Sequence, residues 1–229
     1  MKKIAIITAR SGSQGLKNKN ILPICGKPML AYSVEAAVKS KMFDRVILST
    51  DSLEYGKIGE EFGAEVIYRD EKASTDTATT FMAIEDVFSK IELDFDYFML
   101  LQPTSPLRNE NHVIEACEFF ESRINDYDFL VSMQKAHFPA ILVRPIEEDC
   151  SLKYFDTDFA NYRRQNCVEY SPNGALYIAK PNAYLKQKHF YGAKSLGYIM
   201  TELESIDVDT ELDYEIACLV MKKYFNGED

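Results

Sequence analysis

The sequence predicts an α/β chain: a mostly parallel sheet covered by helices on both faces, in three layers. Two observations carry this prediction. Short apolar runs rich in Ile, Val and Leu alternate with segments of helical periodicity, which is the signature of successive β-α units. The first apolar run, IAIITA, also ends in a small-residue loop, Arg10-Ser11-Gly12-Ser13-Gln14-Gly15, followed by Lys17 and Lys19. A strand entering a glycine-containing basic loop is how α/β proteins cradle phosphates: glycine admits the anion to the backbone, and free N–H groups and cations bind it.

The elements follow in order. A strand is predicted over Lys3–Ala9, and a helix over Pro28–Lys39 with Pro28 suited to its first turn. Strands are predicted at Arg45–Ser49, Glu65–Tyr68, Tyr97–Leu101 and Phe129–Met133. Helices are predicted between them at Leu53–Phe62, Thr79–Lys90 and Asn111–Ser122. The rhythm then breaks. From about Gln134 to Ser171 the chain is irregular, acidic in its middle and rich in Tyr and Phe, which predicts an excursion from one domain. Its aromatic content suits either a dimer contact or a loop packed on its own domain. Regular structure resumes at Gly174–Ile178, with a helix at Pro181–Lys188 and a strand at Gly197–Met200. A last helix, Thr210–Lys223, carries Leu212, Ile216, Leu219 and Met221 near one side.

Composition narrows the function. The chain has 229 residues, enough for one large domain or one domain plus an appendage, and a formal net charge of −10 with pI near 4.9. That charge argues against nucleic acid or an anionic membrane as the main partner, since both reward a basic face. A small anion remains accessible to the local cluster of Arg10, Lys17 and Lys19. The five cysteines are odd in number and form no C-x-x-C pair, so reduced, buried thiols are expected rather than disulfides or zinc. No run approaches the roughly 18 apolar residues of a membrane span. The apolar start ends at Arg10, too early for an export signal, so a cytoplasmic location is expected.

Three further motifs bear on chemistry. The segment Gln102-Pro103-Thr104-Ser105-Pro106-Leu107-Arg108 leaves the carboxyl end of a strand, where ligands of open α/β sheets bind. Gln102 offers both a donor and an acceptor at that edge. In Asp207-Val208-Asp209, extended backbone turns both carboxylates the same way, as one Mg²⁺ requires. The same spacing recurs at Asp94/Asp96, Asp126/Asp128 and Asp156/Asp158, and Asp209 is also placed to cap the last helix, so spacing alone does not choose. Arg163-Arg164-Gln165 suits a carboxylate or phosphate by forked hydrogen bonding, or a surface ion pair. His112, His137 and His189 have no metal-ligand spacing. The N-terminal loop matches neither G-x-x-x-x-G-K-[ST] nor G-x-G-x-x-G.

In their order, ARSGSQGLKNKN, GKPML, STDS, STDTATT, LLQPTSPLR, YRRQ, SPNGALYI and SIDVDT resemble the acylneuraminate cytidylyltransferases, the synthetases of CMP-sialic acid, nearly end to end. The resemblance implies a Rossmann-like nucleotidyltransferase fold in one domain over residues 1–229. It also implies a homodimer in which the 134–171 excursion crosses between subunits. The implied reaction joins CTP to a nine-carbon α-keto acid sugar by attack of the anomeric hydroxyl on the α-phosphate. It releases pyrophosphate and requires Mg²⁺, for which Mn²⁺ can substitute.

By resemblance, Arg10 and Lys19 hold the triphosphate and offset charge on the leaving pyrophosphate. Ser13, Gln14 and Asn20 are nucleotide contacts, and Arg69 and Thr80 lie near the cytidine. Gln102 touches the sugar, and Asp207 and Asp209 hold the metal. Arg163 and Gln165 match positions the family offers from the partner subunit. Phe190 and Tyr191 match an aromatic pair near the acyl group, and Tyr177 faces the sugar. One departure stands out: the family loop usually reads G-S-K-G, and Gln14 replaces its lysine. Either Lys17 supplies the missing charge or the triphosphate binds more weakly. N-acetylneuraminate is the first expectation for the sugar, with legionaminate, pseudaminate and Kdo as alternatives. A D-x-D glycosyltransferase and a non-catalytic nucleotide-binding regulator are the competing classes.

Overall fold

The structure, a computed structural model, describes residues 1–12, 15–157, 159–160 and 168–225. Its strands are β1 (Lys3–Thr8), β2 (Pro23–Ile24), β3 (Lys27–Pro28), β4 (Arg45–Thr50), β5 (Glu65–Tyr68), β6 (Tyr97–Leu101), β7 (Phe129–Lys135), β8 (Tyr170–Ala179) and β9 (Ser195–Ile199). Its helices are α1 (Met29–Ser40), α2 (Leu53–Glu61), α3 (Thr80–Ser89), α4 (Glu110–Glu121), α5 (Pro181–Gln187) and α6 (Glu211–Val220). Seven strands form one sheet in the order β5-β4-β1-β6-β8-β7-β9. All neighbours in it are parallel except β8, which runs antiparallel to both β6 and β7. The antiparallel β8 follows β7 after the long excursion, and among the described residues that excursion holds a 3-10 turn at Ala140–Leu142 but no α-helix. The two-residue strands β2 and β3 make a separate hairpin that ran below the reach of the sequence pattern.

Alternation along each central strand sorts side chains onto two faces. Ala5 and Ile7 of β1 pack with Leu30 and Val34 of α1 and with Val113 and Phe120 of α4. Ile4 and Ile6 point the other way, toward Ile84 and Phe88 of α3 and Tyr184 of α5. The sheet therefore lies between two helical layers, as the β-α rhythm predicts. A third cluster joins Ile24, Met29 and Leu107 to Val208, Ala217 and Met221, and so docks α6 beside the β2–β3 hairpin.

Helix ends follow their local chemistry. Asn109 and His112 close a capping box on α4, and Thr210 with Asp213 closes one on α6. Thr210, not Asp209, is thus the cap of the last helix. Lys41 and Lys188 end α1 and α5 in the left-handed conformation.

Four expectations change. Gln134 belongs to β7, and Ser171 belongs to β8, so the excursion is shorter at both ends than predicted. Leu212, Ile216 and Leu219 do share a side of α6, but that side is exposed, whereas Met221 is buried. Ala217 and Val220 make the inward stripe, because α6 carries apolar residues on two faces. Of the described cysteines, Cys117 is buried but Cys25 and Cys150 are exposed. The last helix ends at Val220 and passes into a π-helical turn over Met221–Phe225. Among the described residues, no helix is long and apolar enough to cross a membrane.

Phe98 anchors the β6 face that carries α3 and α5. Its ring meets Phe88 and Tyr184 edge-on at 5.2 Å each and Phe190 at 6.1 Å. Phe98→Ala is expected to cost about 3–5 kcal/mol in urea unfolding, since these rings cannot collapse into the void together. A loss under 1 kcal/mol would show that this aromatic cluster is not a unit of the core.

Candidate nucleotide and sugar cleft

The carboxyl ends of β1, β5 and β6 open onto a cleft of about 450 Å³. Arg10 enters it from the end of β1, and Lys19 and Asn20 enter from a 3-10 turn over Lys19–Ile21. Asn20 is buried and donates to the Arg10 carbonyl (3.1 Å), so it also holds the loop in shape. Asp51, at the end of β4, accepts from the Ser11 amide (2.7 Å) and hydroxyl (2.8 Å). The loop's far side presses on the Asp207–Asp209 segment: a Cβ on Gly15 would stand 2.8 Å from the Asp209 carbonyl oxygen. Only glycine permits that approach. Ser13 and Gln14 lie outside the described residues.

Arg69 lies deeper. Its Nε donates to Ser49 Oγ (2.8 Å) and its Nη2 to the Ser49 carbonyl (3.0 Å). Burial pushes its guanidinium down to about 10, which leaves it cationic at neutral pH. Thr79 caps α3 by accepting from the Met82 amide, and Thr80 opens the helix at the cleft wall.

Asp207 and Asp209 line the same cleft, whereas Asp94, Asp96 and Asp128 pair with residues outside it. Asp94 pairs with the Lys2 ammonium, and Asp96 accepts from the Lys2 amide (2.8 Å) at the opposite end of β6. Asp128 pairs with Lys180 (2.8 Å). Asp158 lies outside the described residues. Asp209 Oδ1 meets Lys19 Nζ at 2.6 Å. Asp207 Oδ1 is buried without a hydrogen-bond partner. Burial raises the Asp207 carboxyl above the ordinary range, and the Asp209 charge adds to this against a Thr104 hydrogen bond. Among the described residues no group of three or more His, Cys, Asp or Glu side chains gathers as a metal site. A carboxylate pair with one unsatisfied buried oxygen fits Mg²⁺, a hard cation held by one or two carboxylates and completed by substrate phosphates.

A second cavity of about 490 Å³ adjoins the first, and Thr79, Thr80 and Gln102 line both. Its walls are aromatic: Phe81, Tyr177, Tyr184, Phe190 and Tyr191. Phe190 is buried among Tyr177 (4.8 Å) and Tyr184 (4.7 Å), so it forms the wall, while Tyr191 is half-exposed at the rim. Burial and a hydrogen bond with Tyr191 raise the Tyr177 hydroxyl well above its ordinary value. Arg163 and Gln165 lie outside the described residues.

Three contributors escaped sequence reasoning. A bulge between β7 and β8 is stitched by Ser132 Oγ, which donates to the Leu176 carbonyl and accepts from its amide, both at 2.9 Å. Gly174 in this bulge has φ +79°, and a Cβ there would sit 3.0 Å from Gln102 Oε1 and 3.2 Å from Asp207 Oδ2. The bulge thus makes room for both side chains. Thr104 accepts from the Val208 amide (2.8 Å) and so binds the D-x-D segment to the loop after β6. Arg108 is wholly buried under the same loop. The Pro-Asn-Gly run was the one visible signal for the bulge.

Residues 4–229 match the family model described as Cytidylyltransferase. The chain belongs to that family. It is 45% identical over 222 residues to the N-acylneuraminate cytidylyltransferase of Escherichia coli O18:K1:H7, covering 97% of this chain and 52% of that protein. It therefore spans about half the length of that relative. It is 30% identical to the pseudaminic acid cytidylyltransferase of Campylobacter jejuni (strain 81-176), with 97% of each chain covered. A solved structure of CMP:2-keto-3-deoxy-manno-octonic acid synthetase complexed with CTP shares the fold, with a TM-score of 0.72 at 17% identity. That match covers 97% of this chain and 99% of the other. The α/β fold is thus shared with that structure.

The raised Asp207 carboxyl carries a stability consequence. Its ionised form is penalised in the folded state, so the penalty is full above the raised folded pKa and is relieved as pH falls through it. Asp207→Asn is expected to raise the melting temperature in chelator at neutral pH by about 2–4 °C, the shift for ~1 kcal/mol at this size. The gain should shrink on acidification. An unchanged or lower melting temperature at neutral pH would mean that the fold does not bear this cost.

Proposed function

We propose that this domain transfers the cytidylyl group of CTP to the anomeric hydroxyl of a nine-carbon α-keto acid sugar, N-acetylneuraminate foremost, and releases pyrophosphate. The observation that carries the reading is the pair of adjoining cavities. One is polar, with Arg10, Lys19, Arg69 and two carboxylates; the other is aromatic; Gln102 stands between them. A triphosphate suits the first and an acylated sugar the second. The 45% identity to an N-acylneuraminate cytidylyltransferase supports the choice of sugar.

The chemistry needs positioning and charge neutralisation more than a covalent intermediate. The sugar hydroxyl oxygen bonds to the α-phosphorus as the bond to the β-phosphate bridging oxygen breaks. Its proton leaves to solvent, and the electron pair goes to pyrophosphate. Arg10 and Lys19 offset the charge that builds on that leaving group, while Arg69 and Thr80 orient the nucleoside. Gln102 orients the sugar, and Tyr177, Phe190 and Tyr191 exclude water from its acyl side. Asp207 and Asp209 would hold Mg²⁺, which when bound supplies Lewis-acid neutralisation of the phosphate oxygens.

The active unit is proposed to be a homodimer. Exposed Val143, Ile146 and Leu152 of the excursion and the exposed Leu212, Ile216 and Leu219 stripe of α6 support this. Arg163 and Gln165 would then reach the sugar of the partner subunit.

The direct test is pyrophosphate release from CTP and Mg²⁺ with N-acetylneuraminic, legionaminic, pseudaminic and Kdo sugars in parallel. N-acetylneuraminate is expected to give the highest kcat/KM; no release with any of the four would end the reading. Lys19→Ala is expected to cut kcat/KM by about 10²–10³-fold. Its unfolding midpoint should stay near that of the wild type, because a mostly surface ion pair contributes little to stability. Wild-type rates in that variant would remove Lys19 from the triphosphate site.

A further inference from the structure

Arg10, the first cation of the phosphate loop, is already occupied. Its Nη1 lies 2.6 Å from Asp76 Oδ1, 66 residues along the chain. Asp76 is held at the tip of a turn closed by the Ala78 amide donating to the Thr75 carbonyl (3.0 Å). The Thr75 and Thr77 hydroxyls meet at 3.3 Å beneath it. This turn leads directly into Ala78, Thr79 and Thr80, which form the cleft wall facing the loop. The Arg10–Asp76 pair therefore spans the cleft from loop to wall. Its two ends differ: the Asp76 side chain is 65% exposed and that of Arg10 only 25%, so the acid sits at the mouth and the cation inside.

The other charges of the cleft are engaged differently. Arg69 is fixed by the hydroxyl and carbonyl of Ser49. Both oxygens of Asp51 are engaged by Ser11. Lys19 pairs with Asp209, itself a residue of the D-x-D segment. Asp76 is the acid that meets a phosphate-loop cation without belonging to any of these sets.

We propose that Asp76 is the resident counter-ion of the phosphate site: it holds Arg10 until a polyphosphate arrives, yields it to that ligand, and retakes it as pyrophosphate leaves. The inference rests on the CTP reading given above. An exposed pair is weak enough to be exchanged for a phosphate within the turnover cycle, yet it taxes every ligand that needs Arg10. It thereby disfavours retention of the product pyrophosphate, whose charge the basic loop would otherwise trap. Asp76 is thus a positioning residue that acts through Arg10.

The test is a double-mutant cycle in binding. CTP and pyrophosphate are titrated calorimetrically at low ionic strength into wild type, Asp76→Asn, Arg10→Ala and the double variant. Asp76→Asn is expected to lower Kd for both ligands by about two- to fivefold, the scale of an exposed ion pair. The same substitution should have no effect in the Arg10→Ala background, and the gain should vanish in high salt. Unchanged or weaker binding by Asp76→Asn would overturn the inference. So would tightening that persists without Arg10, since that would be a general field effect of one fewer anion. Wild type that fails to bind CTP would instead overturn the functional reading, so the two failures are distinguishable.

Discussion

A guanidinium buried beneath the cleft sets the positions of everything above it. Arg108 is 1% exposed and donates to Ser33 Oγ at 2.6 Å, to the Gln102 carbonyl at 3.2 Å and to the Ala175 carbonyl at 3.4 Å. These acceptors belong to α1, to the chain just after β6 and to β8. Burial alone pushes Arg108 down to about 9, so it stays charged at neutral pH with neutral oxygens as its partners. A buried charge is tolerable only while its acceptors stay in place. The helix, the loop after β6 and the antiparallel strand are therefore held in one geometry. Gln102 and Thr104 inherit that geometry, and through Thr104 so does the D-x-D segment.

On that rigid floor the cleft is built from groups that do not fully satisfy one another. Asp207 has a buried oxygen without a partner, and Arg10 and Lys19 lean on carboxylates across the cavity. Sites that bind charged ligands often carry such local costs, offset by packing elsewhere. Here the offset lies in the two apolar layers, where strands β1 and β6 are buried on both faces. In this acidic protein Arg10, Lys19 and Arg69 converge at one sheet edge, and net charge does not report on that.

Much of the fold was legible in the chain. Short apolar runs and helical periodicity located the strands and helices of the main sheet to within a few residues, because burial of an element is a local constraint on its residues. What escaped was relational. Nothing in Tyr170–Ala179 says that it runs antiparallel between β6 and β7. Leu212, Ile216 and Leu219 form a true stripe, yet the periodicity could not say that it faces outward. The β2–β3 hairpin is two residues per strand, too short for any period to register.

The site divides the same way. By itself the sequence determined which residue types were available: a basic loop after the first strand, a Gln at the end of the fourth long strand, four D-x-D pairs and a run of aromatics. The family resemblance chose among them. Only the tertiary structure decided that Gly15 touches Asp209, that a Gly174 bulge clears space for Gln102 and Asp207, and that Asp76 reaches Arg10. Local sequence encodes backbone preference and side-chain chemistry, whereas these contacts join residues up to 194 positions apart. They exist because the sheet order and one buried arginine bring the ends of separate strands to a common edge.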